Sequence, residues 1–180
     1  VNTVNDAGQT PLHLAASAWN NLACVKVLLQ YGAKMDVKDF EGNTLLMLAQ
    51  GKSTSKLIKV LLDAGADIEE RWDDMTPLVY AASRKNPKYV EILILHGADV
   101  NTKNDAGRTP LHLAGALNNL PCARVSLQHG AKLDVKDSHG NTALMLAQTL
   151  GSKRGNTSEL VAFLTEQEHE VIACTREVLK

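Results

Sequence analysis

A seven-residue segment that returns along the chain constrains the fold more than any other feature. Gly8–Leu14 reads Gly-Gln-Thr-Pro-Leu-His-Leu, and Gly107–Leu113 reads Gly-Arg-Thr-Pro-Leu-His-Leu. Three divergent versions fill the rest of the chain, and the threonines of the five versions follow at intervals of 34, 32, 33 and 33 residues: Thr10, Thr44, Thr76, Thr109 and Thr142. A regular period of this length predicts an elongated stack of similar units instead of one globular core.

Each unit contains two helix signals. Thr10 is a good helix cap, Pro11 suits the first helical position, and the small alanines that follow allow a neighbouring helix to approach closely. The apolar residues within 22–29 recur at helical spacing and predict a second, amphipathic helix. Gly32 ends that helix, because glycine readily adopts the left-handed conformation, and the polar segment 34–42 is predicted to be extended with a turn.

The period, the Gly-x-Thr-Pro-Leu-His start and the Gly-Ala-Asp or Gly-Ala-Lys end together resemble the ankyrin repeat. The resemblance implies an all-α ankyrin-repeat solenoid of five stacked helix-turn-helix units, with a β-turn finger projecting between one helix pair and the next. It places the repeats of a single domain at 5–38, 39–70, 71–103, 104–136 and 137–180, the last with a divergent C-terminal cap. Stacked repeats present extended binding faces, so we expect function to reside in a surface.

The order of the repeats indicates a duplication. Residues 1–50 and 100–148 share Val-Asn-Thr-x-Asn-Asp-Ala-Gly-x-Thr-Pro-Leu-His-Leu-Ala and Gly-Asn-Thr-x-Leu-Met-Leu-Ala-Gln, so the first two repeats look like a copy of the fourth and fifth. Because Val1 then corresponds to Val100, inside a finger, we expect the chain to be a fragment of a longer protein. At the other end, a lengthened loop at 151–158 and a Glu-rich helix from about Glu159 predict a cap whose outer face meets water.

Composition narrows the function classes. The formal net charge of −1, without any Lys/Arg cluster, argues against nucleic-acid binding, and no apolar run is long enough to span a bilayer. Cys24 and Cys122 occupy matching positions about three stacking steps, roughly 25–30 Å, apart, which is too far for a disulfide. Buried thiols fit a reducing compartment. We therefore expect an intracellular protein, cytoplasmic or nuclear, with a secreted bacterial effector acting in a host cell as the alternative.

The histidines do not indicate catalysis. His13 and His112 lie several repeats apart, and Met47, Val79 and Met145 stand at the matching positions of the other repeats. The family resemblance implies that each imidazole hydrogen-bonds to neighbouring backbone. The sequence also contains no zinc-ligand spacing, glycine-rich phosphate loop or Gly-x-Ser-x-Gly elbow, so we expect no catalytic residue, no metal and no cofactor.

The resemblance implies that a partner docks on the finger tips and on the exposed side of the inner helices. Phe40 and Trp72 stand out there, because large apolar side chains replace the usual turn formers and tryptophan is common in interface hot spots. The alternative is that each ring packs on its neighbouring finger, and Trp19 is equally compatible with covering a helix junction and with binding. The candidate partner-binding residues are Phe40, Glu41, Asn43, Trp72, Asp73, Met75, Arg84, Arg108, Leu117 and His139.

The third finger departs most from the others. Asp74 stands where the other fingers have glycine, so its turn must differ, since a side chain is disfavoured at positive φ. We interpret the acidic segment 69–74 around Trp72 as a surface for a basic or extended partner segment. A solvated charge run is the alternative.

Asn101 is a candidate modification site. Leu93, Asp99 and Asn101 match the loose pattern of ankyrin fingers that are modified by the asparaginyl hydroxylase of the hypoxia pathway. The resemblance therefore implies hydroxylation of Asn101 wherever that enzyme is present.

These observations predict a non-catalytic protein–protein interaction module that binds a protein partner through its finger tips and concave inner-helix face. We expect a monomeric fragment that neither binds nucleic acid nor inserts into a membrane. Two alternatives stay open: a substrate-recruiting domain of a larger enzyme or effector protein, and a structural or self-associating spacer. The partner is not encoded in the fold, because one scaffold carries many different finger tips.

Overall fold

The computed structural model describes residues 1–18, 21–49, 54–152 and 158–178. Within these ranges the chain forms helices and no strand, in the order α1 (Pro11–Ser17), α2 (Leu22–Gln30), α3 (Leu45–Leu48), α4 (Thr54–Asp63), α5 (Pro77–Ser83), α6 (Pro87–Leu95), α7 (Pro110–Ala116), α8 (Leu120–Gln128), α9 (Ala143–Ser152) and α10 (Ser158–Val178). The odd-numbered helices are the inner helices and the even-numbered ones the outer helices. The all-α solenoid of five stacked helix pairs is confirmed. Trp19 lies outside the described residues.

A threonine hydroxyl caps each of the five inner helices. The Oγ1 of Thr10 accepts the backbone N–H of His13, and the Oγ1 of Thr109 accepts that of His112. Thr44, Thr76 and Thr142 cap the other three inner helices in the same way. This bond satisfies one of the N–H groups that a helix start leaves free, and it explains why the repeat begins on threonine.

The inner helices are buried through the middle of the stack. A leucine two residues after the capping threonine is almost fully buried in the first four repeats: Leu12, Leu46, Leu78 and Leu111. Tyr89 of the outer helix α6 is also buried, and its hydroxyl donates a hydrogen bond to the carbonyl of Leu46. The core is therefore shared between repeats, as expected for units that cannot bury their apolar faces alone.

The inner helices α7 and α9 are in close backbone contact at Gly115. A Cβ built on this glycine would lie 2.3 Å from the carbonyl oxygen of Ala143. The corresponding residue of the first repeat is Ala16, which is buried. Glycine at 115 thus permits a backbone contact that alanine would prevent.

Four of the five fingers have the same turn. Its first residue accepts, through its side-chain oxygen, a backbone N–H of the finger, and its fourth residue is a glycine at positive φ: Gly8, Gly42, Gly107 and Gly140. The backbone also links neighbouring fingers, because the N–H of Phe40 donates to the carbonyl of Ala7 over 3.0 Å and that of Ser138 to Ala106 over 2.9 Å.

The third finger has a different turn, as its sequence predicts. Trp72 and Met75 exchange two backbone hydrogen bonds of 3.0 and 2.9 Å, and Asp73 between them takes a φ of +53°. The positive φ has therefore moved from the usual fourth position, occupied here by Asp74, to the residue before it. Asp and Asn tolerate this conformation better than most residues with a side chain.

Long side chains replace the backbone bond between fingers at this point. The guanidinium of Arg71 donates to the carbonyls of Asp74 and Lys103 and to the carboxylate of Asp105, while Lys38 donates to the Arg71 carbonyl. The third finger is thus held to its neighbours on both sides.

The last helix closes the stack. Leu160 and Leu164 of α10 are buried, and the guanidinium of Arg124 lies 4.4 Å from the centre of the Phe163 ring. Residues 151 and 152 belong to α9, although the sequence suggests that they begin a loop; the rest of that predicted loop, 153–157, lies outside the described residues. Farther along α10, Val171 and Ile172 are exposed.

Candidate functional site

Two clefts lie side by side where the second finger meets its neighbours. The first cleft, of about 340 Å³, lies between the first and second fingers and is lined by Asp6, Ala7, Gln9, Asp39, Phe40, Glu41, Asn43 and Leu48. The second cleft, of about 220 Å³, lies between the second and third fingers and is lined by Glu41, Asn43, Met47, Trp72, Asp73, Met75, Tyr80 and Arg84. Glu41 and Asn43 belong to both, so the clefts form one continuous surface.

Seven of the ten predicted partner-binding residues line these clefts. Arg108, Leu117 and His139 do not; they belong to the fourth and fifth repeats. Arg108 is bound to Asp137, Leu117 is partly buried at the end of α7, and His139 is exposed beside Ser138. The predicted set is therefore divided between a site in fingers one to three and scattered positions beyond it.

Phe40 and Trp72 occupy equivalent positions of successive fingers and have similar surroundings. The Phe40 ring lies against Gly8 and the Trp72 ring lies against Gly42, so closely that a Cβ on either glycine would overlap the ring. Even so, 75% of Phe40 and 40% of Trp72 are exposed. Each ring therefore packs on the preceding finger, as the alternative interpretation holds, and still presents apolar surface to solvent.

Asn43 differs from its predicted environment. The sequence places it among exposed finger positions, but it is only 8% exposed. Its side-chain amide donates to both carboxylate oxygens of Asp39, at 3.2 and 3.1 Å, and its backbone N–H donates to one of them at 2.8 Å. Asn43 is thus part of the floor of both clefts, and the prediction that it is exposed is wrong.

Tyr80 and Arg84 form one wall of the second cleft. They lie four residues apart across α5 and its C-cap, so they share a helix face, and the guanidinium lies 5.2 Å from the centre of the tyrosine ring and donates to its hydroxyl. Tyr80 is absent from the sequence-based candidates, although its spacing from Arg84 is a usable signal. Asp39, Met47 and Leu48 are absent too, since nothing in their types sets them apart from scaffold residues.

The rims of the two clefts are predominantly acidic. Asp6, Glu41 and Asp73 are exposed carboxylates, and Arg84 is the one basic residue among the lining residues. Such a rim attracts positive charge, and exposed aromatic rings beside it favour flat cations.

The two histidines of the repeated segment serve the scaffold. The Nδ1 of His13 accepts the backbone N–H of Thr10, and the Nδ1 of His112 accepts that of Thr109, each over 3.2 Å. Burial lowers the pKa of both imidazoles, although the nearby carboxylates of Asp39 and Asp137 oppose this shift. Buried imidazoles whose Nδ1 is bonded to the capping threonine hold the helix start together and are poorly placed for proton transfer.

The described residues offer neither a metal site nor a membrane span. No three His, Cys, Asp or Glu side chains of that part of the chain are arranged to hold a metal ion. None of the described helices is both long and apolar enough to cross a bilayer. The thiol of Cys122 is buried, which raises its pKa to about 11, whereas Cys24 is partly buried and Cys174 exposed.

The predicted modification site is engaged in a bridge between repeats. The side chain of Asn101 donates to the carbonyl of Gly130 and accepts the N–H of Lys132. In the duplicated part of the chain, Asn2 makes the same two bonds with Gly32 and Lys34. Access of a modifying enzyme to Asn101 therefore requires these bonds to open.

Sequence comparisons agree with this architecture. A family model described as ankyrin repeats (3 copies) matches residues 12–104 and again 78–173. Glycerophosphocholine phosphodiesterase gde1 of Schizosaccharomyces pombe is 37% identical over 70 residues, which are 38% of this chain and 6% of that protein. Mouse rabankyrin-5 is 44% identical over 55 residues, 31% of this chain and 5% of that protein.

A shorter relative is covered more fully. Mouse protein phosphatase 1 regulatory subunit 27 is 34% identical over 74 residues, which are 41% of this chain and 47% of that protein. The chain thus spans less than a tenth of the first two relatives and just under half of the third.

Proposed function

The chain belongs to the ankyrin-repeat family, and we propose on that premise that it is a non-catalytic recognition module whose partner docks on the first and second clefts. Ankyrin repeats are in general protein-interaction modules. The observation that carries the more specific proposal is the pair of exposed rings, Phe40 and Trp72, on the edges of two adjoining clefts.

The two rings have the properties of interface anchors. Each is rigid, large and already fixed on one side by the preceding finger, so binding orders little that is mobile. Burying the exposed part of an aromatic ring is among the larger favourable contributions at interfaces, and Trp is enriched at hot spots. The rings also stand on rigid fingers, which favours binding without rearrangement.

The rim charges indicate the chemistry of the partner. Asp6, Glu41 and Asp73 favour a basic segment, and the continuity of the two clefts favours one that is extended. Arg84 at the far wall provides one site for a carboxylate or a backbone carbonyl of the same segment.

The proposal is tested by selecting peptide ligands of the domain from a random display library. The affinity of a selected peptide is then measured for the wild-type protein and for a Phe40→Ala/Trp72→Ala variant. We expect a loss of about tenfold or more, the usual effect of removing hot-spot side chains. Circular dichroism confirms that the variant keeps its helices.

A matched control removes two large exposed apolar side chains from the outer helices. Tyr31 at the end of α2 is 77% exposed and Leu95 at the end of α6 is 66% exposed. A Tyr31→Ala/Leu95→Ala variant is expected to bind like the wild type. Equal binding by all three proteins, or a loss confined to the control variant, contradicts the proposed site.

A second candidate function is recruitment of a substrate for an enzyme of which this chain is one part. One relative is named as a phosphodiesterase, and the match covers a small part of it. In that case the same clefts bind the substrate protein. Removing the two rings in a longer form of the protein then lowers the reaction with the protein substrate but leaves turnover of a small-molecule substrate unchanged.

Two further expectations remain as proposals. Self-association is tested by light scattering over a range of concentrations. A monomer mass that stays constant with concentration contradicts a self-associating spacer.

Hydroxylation of Asn101 is tested by intact-mass measurement after treatment with an asparaginyl hydroxylase, with Asn101→Gln as control. No added oxygen on the wild-type protein opposes it.

A further inference from the structure

The fourth and fifth fingers contain an internal ion pair that the first and second fingers lack. In the duplication, Gln9 corresponds to Arg108 and Asp39 corresponds to Asp137. Arg108 extends across the gap between the fourth and fifth fingers, and its Nε donates to a carboxylate oxygen of Asp137 at 3.2 Å. The Asp137 side chain is completely buried, so the guanidinium closes this gap over it.

The two aspartates share two hydrogen bonds from the asparagine that follows them by four residues. Asp137 accepts the backbone N–H and the side-chain amide of Asn141, and Asp39 accepts the same two groups of Asn43. The two aspartates differ in three further bonds: the Oδ2 of Asp39 accepts the Asn43 amide at 3.1 Å, whereas the Oδ2 of Asp137 accepts the Arg108 guanidinium and its Oδ1 accepts the backbone N–H of His139. The duplicated unit therefore shows that a guanidinium can donate to the carboxylate oxygen that corresponds to Oδ2 of Asp39.

Asp39 has no cation at that face. It is 6% exposed, and the ion pairs among the described residues join Lys38 to Glu70, Arg71 to Asp105 and Arg108 to Asp137. Gln9 is neutral and shorter than arginine. A carboxylate that is nearly buried without a cation is stabilised less than one that is paired, which favours binding of a positive group.

The first cleft has the size and the walls for such a group. It has a volume of about 340 Å³ and Asp39 is part of its lining. Asp6 and Glu41 add negative charge, and the Phe40 ring stands beside them with three quarters of its surface exposed. A guanidinium matches these walls better than an ammonium, because it is flat, donates in a fork to a carboxylate and stacks on aromatic rings.

We propose that the first cleft is an arginine-binding pocket: the guanidinium of a partner arginine occupies the place that Arg108 occupies in the duplicated unit, bound by Asp39 and stacked on Phe40. This inference rests on the proposed function and makes it more specific, because it assigns one side chain of the extended partner segment to one cleft. The rest of that segment continues past Glu41 towards Trp72.

The test uses two small probes, N-acetyl-arginine amide and its neutral isostere N-acetyl-citrulline amide, and records backbone amide spectra of the labelled domain. The arginine probe is expected to shift signals of the first two fingers, such as those of Gly8 and Glu41, with an affinity about tenfold or more above that of the citrulline probe, as for a hydrogen bond to a charged group. Equal responses to the two probes, or shifts confined to other fingers, overturn the inference.

Two variants make the test specific. Gln9→Arg supplies the pocket with its own guanidinium and is expected to abolish the response to the arginine probe. Arg108→Gln opens the equivalent gap and is expected to create a second response near Asn141. A Gln9→Arg protein that folds correctly and still responds to the arginine probe like the wild type overturns the inference. Asp39→Asn removes the negative charge and keeps the shape of the side chain. This variant is also expected to lose the response to the arginine probe.

The outcomes also separate this inference from the proposed function. If selected peptides require Phe40 and Trp72 but bind Gln9→Arg protein as well as the wild type, the recognition site stands and the arginine pocket fails. If peptide binding is indifferent to Phe40 and Trp72, the proposed function fails as well.

Discussion

The two duplicated parts of the chain, 1–50 and 100–148, have the same scaffold but different surfaces between their fingers. Both begin with the same threonine-capped inner helix, and both place a buried aspartate between two fingers. In the later part Arg108 covers that aspartate, and a small serine stands at the finger tip. In the earlier part Gln9 leaves the aspartate facing a cleft, and Phe40 stands at the tip. A few substitutions thus distinguish a closed part, where Arg108 covers the gap between fingers, from an open part with a cleft, although Asp39 and Asp137 are each 6% exposed.

The hydrogen bonds of His13 in the earlier part and His112 in the later part also differ. The Nε2 of His112 lies 3.1 Å from the carbonyl oxygen of Asn141, whereas the buried Nε2 of His13 makes no matching bond to Asn43 and has the backbone of Val37 nearby. The later part is therefore more completely bonded within itself. The two parts therefore allow the stability of two differently bonded copies of one scaffold to be compared.

The largest expected effect on stability comes from exchanging glycine and alanine at two matching positions of the inner helices, Gly115 and Ala16. Gly115→Ala would place a Cβ 2.3 Å from the carbonyl oxygen of Ala143. Because the backbone of α9 must move to admit it, we expect a loss of about 2–3 kcal/mol in the free energy of unfolding, which outweighs the better helix propensity of alanine. Urea denaturation gives the measurement. A more stable variant would show that α7 and α9 are not in close contact.

The reciprocal change, Ala16→Gly, provides the control. The first repeat has room for the methyl group, so its removal costs only helix propensity and a small loss of packing, about 1–2 kcal/mol. If both exchanges cost the same, the two parts pack their inner helices equally closely and this aspect of the comparison is wrong.

Removal of the internal ion pair is expected to have the next largest effect. Arg108→Gln leaves the buried carboxylate of Asp137 without its cation and should lower the free energy of unfolding by about 1–2 kcal/mol. The mirror change, Gln9→Arg, adds a partly exposed pair to Asp39 and should stabilise by less than about 1 kcal/mol. Thermal and urea denaturation of both variants measure how unequal these two changes in stability are. A stabilising effect of Arg108→Gln contradicts this expectation.

The effect of Arg108→Gln should also depend on pH. Burial opposes ionisation of Asp137, but the N–H groups of Asn141 and His139 and the Arg108 guanidinium lower its pKa to about 2 from the ordinary 3.8. The folded protein thus favours the carboxylate, so the stabilisation is complete above 3.8 and is lost as the pH falls towards 2. The difference in stability between wild type and variant should shrink over this window. A difference that stays constant over this window would show that Arg108 does not stabilise the fold through an ionised Asp137.

Phe40 should matter least for stability. Three quarters of its surface is exposed, so Phe40→Ser, which copies the fifth finger, should change the free energy of unfolding by no more than about 0.5 kcal/mol. The same change is expected to weaken peptide binding strongly. A large loss of stability would instead identify the ring mainly as a clamp on the first finger.

The scaffold was predictable from the sequence because its determinants are local. The capping threonines, the helix-ending glycines and the apolar spacing each act within a few residues, and Asp74 alone indicates that the third turn is different. The displacement of the positive φ onto Asp73 was not predictable, since it depends on the hydrogen bonds that Trp72 and Met75 form with each other.

The site was only partly predictable. Phe40 and Trp72 follow from residue type and finger position, but the burial of Asn43 depends on how its amide folds back onto Asp39. The pairing of Arg108 with Asp137 crosses 29 residues and depends on the register of stacked fingers. Clefts formed between repeats are likewise properties of the stack and not of any single repeat.

The most direct test of the account is to map the binding site of a selected peptide on the whole domain by backbone amide spectra. The account predicts that the signals that move during titration belong to the first three fingers and α5, and that those of the fourth and fifth fingers stay in place. Movement concentrated in the fourth and fifth fingers, or along the outer helices, would contradict it, because the closed part of the duplication would then be the part that binds.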